Sequence, residues 1–281
     1  DLTREKNYYQ AYLFVLNSAY TQHKPFQQLF GATNSKILAD LGQVEAFSQL
    51  DTHQLADCLQ EMSGNRLRYP LKNAQRLKMI TAEYFQIDPG LAQVLQRMLN
   101  EVLKHIQFIQ GQIDTVKQLM QKEAESHPEA ALLRTIPGIG LVFSCGITAE
   151  LGNINRFLHG QKYDRKKKCY RPKNLRDADA SIAKIAGLWW PRSASGNFEA
   201  QDRKLSKTGN RYLRYYLIEG ADRLRQWEPK YQAYYQKKFS ETRRFAHKRA
   251  LVLTARKSIR LYVGLLHRRE PYRSKESLKQ D

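Results

Sequence analysis

Apolar residues recur every three or four positions along most of the chain, and glycine and proline interrupt this pattern at intervals. The spacing is typical of amphipathic helices, and no sustained alternation of apolar and polar residues indicates a β-sheet. The sequence therefore predicts an all-α fold. The first expected helices are one over residues 3–30 that ends near Gly31, one over 53–62 capped by Asp51 or Thr52, and one around 71–85.

The clearest helical signal begins at Asp88-Pro89, where a capping residue precedes a proline at the first helical position. Apolar residues then follow at alternating steps of four and three. This heptad stripe consists of Leu95, Leu99, Val102, Ile106, Ile109, Ile113, Val116 and Met120. Such a stripe packs against a second helix, either one of the same chain, such as 3–30, or one of another protomer. The pattern predicts a coiled coil and, in the second case, a homo-oligomer.

Positive charge is concentrated in the second half of the chain. The 281 residues carry a formal net charge of +20. Residues 1–130 contain 13 Lys and Arg against 14 Asp and Glu, a net of −1, whereas residues 131–281 contain 34 against 13, a net of +21. Because this excess is larger than solubility requires, it indicates a surface that binds a polyanion such as DNA. We therefore predict a helical, coiled-coil region over 1–130 and a basic domain over 131–281.

Other compositional features exclude several classes of protein. A hydrophobic share of 42% is too high for a disordered chain. No apolar run approaches the roughly 20 residues of a membrane span, and no signal-peptide pattern opens the sequence, so we expect a cytoplasmic protein without a membrane partner. The three cysteines, Cys58, Cys145 and Cys169, lie far apart and form no metal-binding pattern. We interpret them as free thiols in a reducing compartment and predict no metal or cofactor in this chain.

A turn near the start of the basic domain has the form of a helix-hairpin-helix. In LLRTIPGIGLVFSCGITAELG, residues 132–152, Gly138 and Gly140 separate an apolar helix end from a helix of small residues. Glycines let the backbone approach a partner closely, and the next helix offers unpaired N–H groups to a phosphate. The pattern predicts a contact with a DNA phosphate. The alternative is a turn that only packs two helices together.

The most basic segment is KYDRKKKCYRPKNLR, residues 162–176, with eight Lys and Arg and one Asp. Lys166, Lys167 and Lys168 stand at its centre. A charge run of this kind is usually a solvated loop. Its tyrosines and arginines also suit stacking on the bases or ribose of single-stranded nucleic acid. We favour a segment that contacts nucleic acid.

Two further segments contain candidate groups for phosphate chemistry. In WWPRSASGN, residues 189–197, two tryptophans and a proline stiffen the approach to Ser193 and Ser195, which share one face if the segment is extended. In RKLSKTGNRYLRYYL, residues 203–217, a Gly-Asn turn precedes a helix. Arginines beside a serine stabilise charge on a phosphate under attack, but no histidine lies near in sequence to act as a base. On the residues alone, an ordinary loop is the alternative, and Ser206 is a candidate nucleophile equal to Ser193 and Ser195. The predicted DNA contacts here are Arg192, Lys207, Arg211 and Arg214.

The sequence resembles the DEDD-type insertion-sequence transposases, which are relatives of the Piv-type invertases. Three blocks match their C-terminal transposase domain in order: TIPGIG with the helix after it, IAGLWWPRSASG, and KLSKTGNRYLRYYLIEGA. LTREKNYYQAYLFVLNSAY and residues 91–125 are similar to the family's central helices and coiled coil, so the resemblance covers nearly the whole chain. It implies a bacterial, nucleoid-associated protein with DNA as its partner. Because some members are guided by a bridge RNA, it also implies a structured RNA.

Two features depart from the pattern of this family. Its N-terminal RuvC-like domain, whose Asp-Glu-Asp-Asp site implies Mg²⁺, has no counterpart in these residues, and the sequence begins where that domain would end. Residues 160–178 resemble an insertion, because the family usually has only a short link ahead of its "GL-x-P" block. We therefore expect the isolated chain not to cleave DNA efficiently.

The resemblance also implies a catalytic residue. In this family a serine in the Pro…Ser-Gly block attacks the DNA phosphodiester and holds the strand as a phosphoserine while ends are exchanged. Position by position, that serine falls on Ser195, which Gly196 follows, and Ser193 is the runner-up. A covalent phosphodiester intermediate conserves bond energy, so religation needs no ATP. The expected function is DNA transposition and recombination. The alternatives are a non-catalytic DNA- or RNA-binding and dimerisation module and a scaffold whose charge only aids solubility.

Overall fold

The computed structural model describes residues 1–39, 49–83, 87–191, 194–195, 198–199 and 204–274. These residues form the predicted all-α fold, together with two short antiparallel β-hairpins. The chain divides into two compact units, Asp1–Thr115 (unit 1) and Val116–Asp281 (unit 2). In the described part of the chain, no helix is both long enough and apolar enough to cross a membrane.

The helices of unit 1 begin at the chain start and include most of one long helix. They are α1 (Leu2–Leu16), α2 (Ser18–His23), α3 (Ala32–Ala39), α4 (Thr52–Met62), α5 (Pro70–Ala82) and α6 (Pro89–Glu125). The C-terminal end of α6 belongs to unit 2. The domain boundary predicted near residue 130 falls shortly after this helix ends.

The prediction of one helix over residues 3–30 is wrong, because the helix is interrupted at Asn17. The Asn17 backbone is extended, with φ −152° and ψ 90°, and it separates α1 from α2. Its side-chain oxygen accepts a hydrogen bond from the Tyr20 N–H at 2.9 Å. Asparagine favours such an interruption, because its short side-chain amide can accept a hydrogen bond from a free N–H group in the first turn of the next helix.

Other helix starts in unit 1 follow the capping signals in the sequence. Asp51 caps α4, since its Oδ1 accepts hydrogen bonds from the N–H groups of His53 and Gln54 at 2.7 and 2.9 Å. The Gln54 side chain in turn accepts one from the Asp51 N–H at 3.1 Å, which completes a capping box. At the start of α6, Asp88 Oδ1 accepts a hydrogen bond from the Leu91 N–H at 3.0 Å.

The heptad stripe has two different environments along α6. In its first half, Leu99 and Ile106 are buried in the core of unit 1 together with Tyr9 and Leu13 of α1. This half therefore packs within the chain. In the second half, Val116 is 52% exposed. Pairing of that half with another protomer stays a prediction.

Unit 2 contains the C-terminal helices and both hairpins. Its elements are α7 (Pro128–Arg134), α8 (Leu141–Leu151), a 3-10 turn (Ile154–Phe157), β1 (Gln161–Asp164), β2 (Cys169–Pro172), α9 (Leu175–Ile185), β3 (Ala194–Ser195), β4 (Phe198–Glu199), α10 (Arg211–Trp227), α11 (Pro229–Ser240) and α12 (Ala246–Arg268). The core joins four of the helices through Ile147, Ile182, Leu217 and Ile259, all of them buried. These contacts fix the framework from which the loops project.

Strands β1 and β2 form the basic hairpin, residues 161–172, which the sequence pattern did not predict. Asp164 organises its turn, because Oδ1 accepts hydrogen bonds from the N–H groups of Lys166 and Lys167 at 3.0 and 3.3 Å. Lys168, with φ 50°, ends the turn in the left-handed conformation. A carboxylate at the first position and a left-handed residue at the last are suited to closing a hairpin loop of four residues. One aspartate thus gives a fixed structure to a run of cations.

Candidate nucleic-acid interface

The serine loop, residues 186–210, connects α9 to α10, and its two ends lie side by side. Backbone hydrogen bonds join these ends. They run from Ser206 N to Trp189 O (3.0 Å), from Lys207 N to Gly187 O (3.2 Å) and from Asn210 N to Ile185 O (2.7 Å). The segment that contains Ser195 lies between the joined ends, so the loop has a fixed base.

Two glycines permit this close approach. Gly209 has φ 111°, and a Cβ at this position would lie 2.2 Å from the carbonyl oxygen of Ile185. Gly187 has φ 68°, and a Cβ there would lie 2.7 Å from the carbonyl oxygen of Thr208. Both conformations favour glycine, and both sites exclude any side chain. The base of the serine loop therefore requires glycine at both positions.

Arg214, predicted as a DNA contact, holds the base of the serine loop from α10. Its Nη1 donates hydrogen bonds to the carbonyl oxygens of Ala186 at 3.1 Å and Lys207 at 2.8 Å. One guanidinium group thus binds both ends of the loop. The structure gives Arg214 a positioning role, and its contact with DNA stays a prediction.

Asn210 fixes the start of α10. Its Oδ1 accepts hydrogen bonds from the N–H groups of Tyr212 and Leu213 at 2.9 and 3.0 Å, which caps the helix. Its Nδ2 donates to Glu150 Oε2 of α8 at 2.5 Å. This cap also positions Arg211, an exposed predicted DNA contact whose Nη2 donates to the Tyr212 hydroxyl at 2.8 Å.

Ser195, the predicted nucleophile, lies in strand β3. This strand pairs antiparallel with β4, and Phe198 is the residue opposite Ser195. Ser193 and Arg192 lie outside the described residues. The backbone therefore places Ser195 on a short hairpin of the serine loop, while its role in catalysis stays a prediction.

The two glycines of the predicted helix-hairpin-helix have different surroundings. Gly138 has φ 82°, and a Cβ there would lie 2.9 Å from both the Arg223 backbone carbonyl and the Trp227 ring of α10. Packing against α10 accounts for this glycine. Gly140, the N-cap of α8, is exposed, and no described atom lies within 4 Å of the position its Cβ would take. Only Gly140 therefore lies on an open surface, and phosphate binding by either glycine stays a prediction.

The basic hairpin is attached to unit 2 through Asp177 of α9. The Asp177 carboxylate lies 2.7 Å from both Lys162 Nζ and Arg171 Nη1, and the residue is only 6% exposed. Hydrogen bonds from Arg171 and Lys162 hold the pKa of this carboxyl well below its ordinary value. Two cations of the basic run are therefore neutralised on the side of the hairpin that faces α9.

The turn of the basic hairpin presents the remaining cations to solvent. Lys166, Lys167 and Lys168, together with Arg165, are all exposed. Within the described part of the chain, none of these four side chains forms an ion pair with a carboxylate. They are therefore available to a phosphate backbone, and contact of the three lysines with DNA stays a prediction.

Part of the charge excess of unit 2 has a structural use that the sequence pattern did not reveal. Lys257 Nζ lies 4.0 Å from the centroid of the Tyr234 ring, and the Arg225 guanidinium lies 4.2 Å from that of Tyr235. Burial lowers the pKa of Lys257. Cations on α10 and α12 thus cover aromatic rings of α11, which contributes to packing rather than to binding.

The described residues contain no group of three or more His, Cys, Asp or Glu side chains placed to hold a metal ion. This part of the chain therefore does not fit the Mg²⁺ site that the resemblance associates with a RuvC-like domain.

Comparison with known families matches residues 172–236 to the transposase IS116/IS110/IS902 family. The match begins at the last residue of β2 and ends within α11, so it contains the whole serine loop. It leaves out Gly138, Gly140 and the turn of the basic hairpin. No curated protein matches the chain. The family match supports an insertion-sequence transposase.

Proposed function

We propose that this chain is the DNA-binding and strand-exchange region of an insertion-sequence transposase, with Ser195 as its nucleophile. The family match over residues 172–236 carries the proposal, because it contains the serine loop and the start of α10. The fixed base of the loop also supports it. A nucleophile needs a rigid support, and Gly187, Gly209 and Arg214 supply one beneath the segment that contains Ser195.

In the proposed reaction, the Ser195 hydroxyl oxygen attacks a phosphorus atom of the DNA backbone. An Oγ–P bond forms while one P–O bond to a deoxyribose breaks, and the serine proton passes to the released sugar hydroxyl. The strand stays attached as a serine phosphodiester. A sugar hydroxyl of a different strand then attacks the same phosphorus, the Oγ–P bond breaks, and the proton of that hydroxyl passes to the serine oxygen. One phosphodiester thus replaces another, so the exchange needs no ATP.

Cations next to the serine loop stabilise the charge that develops on the phosphate. Lys207, near the end of the serine loop, and Arg211, the first residue of α10, are exposed, and Arg192 precedes the serines in sequence. Cations held in place before the reaction lower the energy of a transition state more than that of the ground state, and Arg211 is held by the helix cap at Asn210. The net charge of +21 over residues 131–281 provides the wider attraction for DNA.

The proposal includes two further partners and a location. One is a structured guide RNA, on the resemblance to bridge-RNA transposases. The other is a second copy of the chain, bound through the second half of the heptad stripe, where Val116 is exposed. The protein acts on DNA in the bacterial nucleoid.

The nucleophile is tested with the product of the complete reading frame that contains this sequence, supplied with Mg²⁺ and DNA carrying the ends of the element. A denaturing gel detects a covalent protein–DNA adduct. We expect Ser195→Ala to abolish the adduct, and Ser193→Ala and Ser206→Ala to keep it. Ser206 is the matched control, because it lies in the same loop, with its N–H bound to the Trp189 carbonyl. An adduct that survives Ser195→Ala and disappears with Ser193→Ala would show that the nucleophile is misassigned.

DNA binding by the chain itself separates the proposal from its alternatives. We expect affinity for duplex DNA to fall steeply as salt concentration rises, because bound cations release counterions from the phosphates. Absence of binding at low salt would leave only the scaffold interpretation. Binding without any adduct from the complete protein would identify a non-catalytic nucleic-acid-binding module.

A further inference from the structure

The basic hairpin has two faces with different chemistry. Tyr163 and Tyr170 are directly opposite each other in the strand register, and Lys162 and Arg171 form the neighbouring pair. Because adjacent residues of a strand point to opposite faces, the tyrosine pair and the cation pair lie on opposite sides. The cation pair binds the buried carboxylate of Asp177. The tyrosine face must therefore point away from α9.

The tyrosine rings are accessible although they are large and partly apolar. Tyr163 is 48% exposed and Tyr170 is 69% exposed. Their ring centroids lie 5.2 Å apart with an interplanar angle of 65°, so the two rings together present a face and an edge to solvent. In the described part of the chain, neither ring is packed into the core of unit 2. An exposed aromatic pair on a fixed hairpin is suited to stacking on another π-system.

The chemistry of the adjoining turn identifies that π-system. Four consecutive exposed cations, residues 165–168, follow β1 directly and surround the tip of the hairpin. Aromatic rings next to unpaired cations are the arrangement with which proteins bind unpaired nucleotides, since the rings stack on bases and the cations contact phosphates. The bases of a duplex are already stacked on one another, so they do not offer a free face to a tyrosine.

We propose that the basic hairpin binds unpaired nucleotides, with Tyr163 and Tyr170 stacking on exposed bases and the cations of the turn contacting the neighbouring phosphates. Single-stranded DNA and the loops of a structured RNA share this chemistry. The inference rests on the proposed function only for the source of the unpaired strand, which strand exchange or a guide RNA would provide. It assigns to the hairpin a role distinct from that of Ser195.

The test measures binding of this chain to a short oligonucleotide containing 2-aminopurine, a base whose fluorescence is quenched when it stacks on an aromatic ring. The same sequence is supplied as single-stranded DNA, duplex DNA and single-stranded RNA. The variant Tyr163→Thr/Tyr170→Thr removes both rings and keeps residues that favour a β-strand. The matched control is Tyr69→Thr, which removes a similarly exposed tyrosine that also lies beside an arginine.

We expect the double variant to bind single strands about tenfold or more weakly and to lose the quenching, because stacking contributes on that scale per base. Its affinity for duplex DNA and its tryptophan-detected melting should not change, and Tyr69→Thr should behave like the wild type. A second variant, Lys166→Gln/Lys167→Gln/Lys168→Gln, should reduce the salt dependence of single-strand binding by a slope of about 2, since each phosphate contact contributes about 0.7. The tyrosine variant should leave that slope intact.

Unchanged binding of single strands by the tyrosine variant would overturn the inference, and so would an equal loss for single strands and duplex. The proposed function would survive either result if the Ser195 adduct forms. Conversely, tyrosine-dependent binding of single strands without a Ser195 adduct would support the inference and reject the assignment of Ser195 as the nucleophile. The tighter of the DNA and RNA single strands identifies the natural source of the unpaired bases.

Discussion

Replacing Gly209 by alanine tests whether the base of the serine loop depends on close backbone packing. The added Cβ would stand 2.2 Å from the Ile185 carbonyl oxygen, far inside the contact distance of a carbon and an oxygen. The same carbonyl accepts the hydrogen bond from the Asn210 N–H at 2.7 Å. The methyl group therefore cannot fit unless the two ends of the loop separate.

The expected cost follows from two contributions. A left-handed backbone costs a residue with a Cβ about 1–2 kcal/mol, and φ at Gly209 is 111°. Separation of the loop ends weakens the hydrogen bonds of Asn210 and Lys207, at about 0.5–1.5 kcal/mol each. The sum is about 3 kcal/mol. For a unit the size of Val116–Asp281, that lowers the melting temperature by about 6–12 °C.

Tryptophan fluorescence is the appropriate assay, because Trp189, Trp190 and Trp227 all belong to unit 2. The matched control is Gly152→Ala in the same unit. Gly152 also has a positive φ, 58°, but its nearest contact for a Cβ is Arg156 Nη1 at 4.0 Å. The control therefore measures backbone strain without a collision, and we expect it to lower the melting temperature by about half as much.

Equal melting temperatures for Gly209→Ala and Gly152→Ala would contradict this reasoning, since they would show that the loop ends tolerate a side chain between them. A destabilised Gly209→Ala variant should also bind DNA more weakly at a temperature where it remains folded. Wild-type affinity in that variant would separate DNA binding from the geometry of the serine loop.

Three other predictions concern the basic hairpin and the two halves of the heptad stripe. Asp177→Asn should weaken the attachment of the hairpin by about 1–3 kcal/mol at neutral pH and speed trypsin cleavage at residues 165–168 about tenfold. Because the pKa of Asp177 is lowered in the folded state, this difference in stability should be fully present above about pH 4 and should shrink gradually as pH falls from there towards the lowered pKa; equal cleavage at pH 7 would contradict the role of the carboxylate. Ile106→Asp should unfold unit 1, seen as a loss of helical circular dichroism, because Ile106 is 4% exposed within its core. Val116→Asp should leave the fold intact and lower the mass of any oligomer in solution, and an unchanged mass would reject pairing through this half of the stripe.

Local signals in the sequence predicted much of the helical fold. Asp51 and Asp88 cap helices because their side chains reach N–H groups two or three residues ahead, an interaction that a short sequence window contains. Asn17 has the same chemistry, yet the sequence pattern predicts one continuous helix through it. The apolar pattern continues through that position, and only the side-chain bond to the Tyr20 N–H shows that Asn17 ends one helix and starts the next.

The candidate site was predictable in its segments but not in its contacts. The motif around Ser195 and the Gly-Asn turn both lie within the residues that match a transposase family. The pairing of Asp177 with Lys162 and Arg171, and of Gly138 with Arg223, depends on tertiary packing between segments that no periodicity relates. For the same reason, the sequence of the basic run does not predict a hairpin, although one carboxylate on α9 fixes it as one.

The amide of Asn210 places an unusual demand on one position of the chain. As a helix cap it must accept hydrogen bonds, and as the partner of Glu150 it must donate one. Aspartate caps helices as well as asparagine does, but it would set a second negative charge against Glu150. Conversion of this single amide to an acid would therefore replace a hydrogen bond between α8 and the start of α10 by repulsion between two carboxylates. The repulsion would act at the point where the serine loop ends.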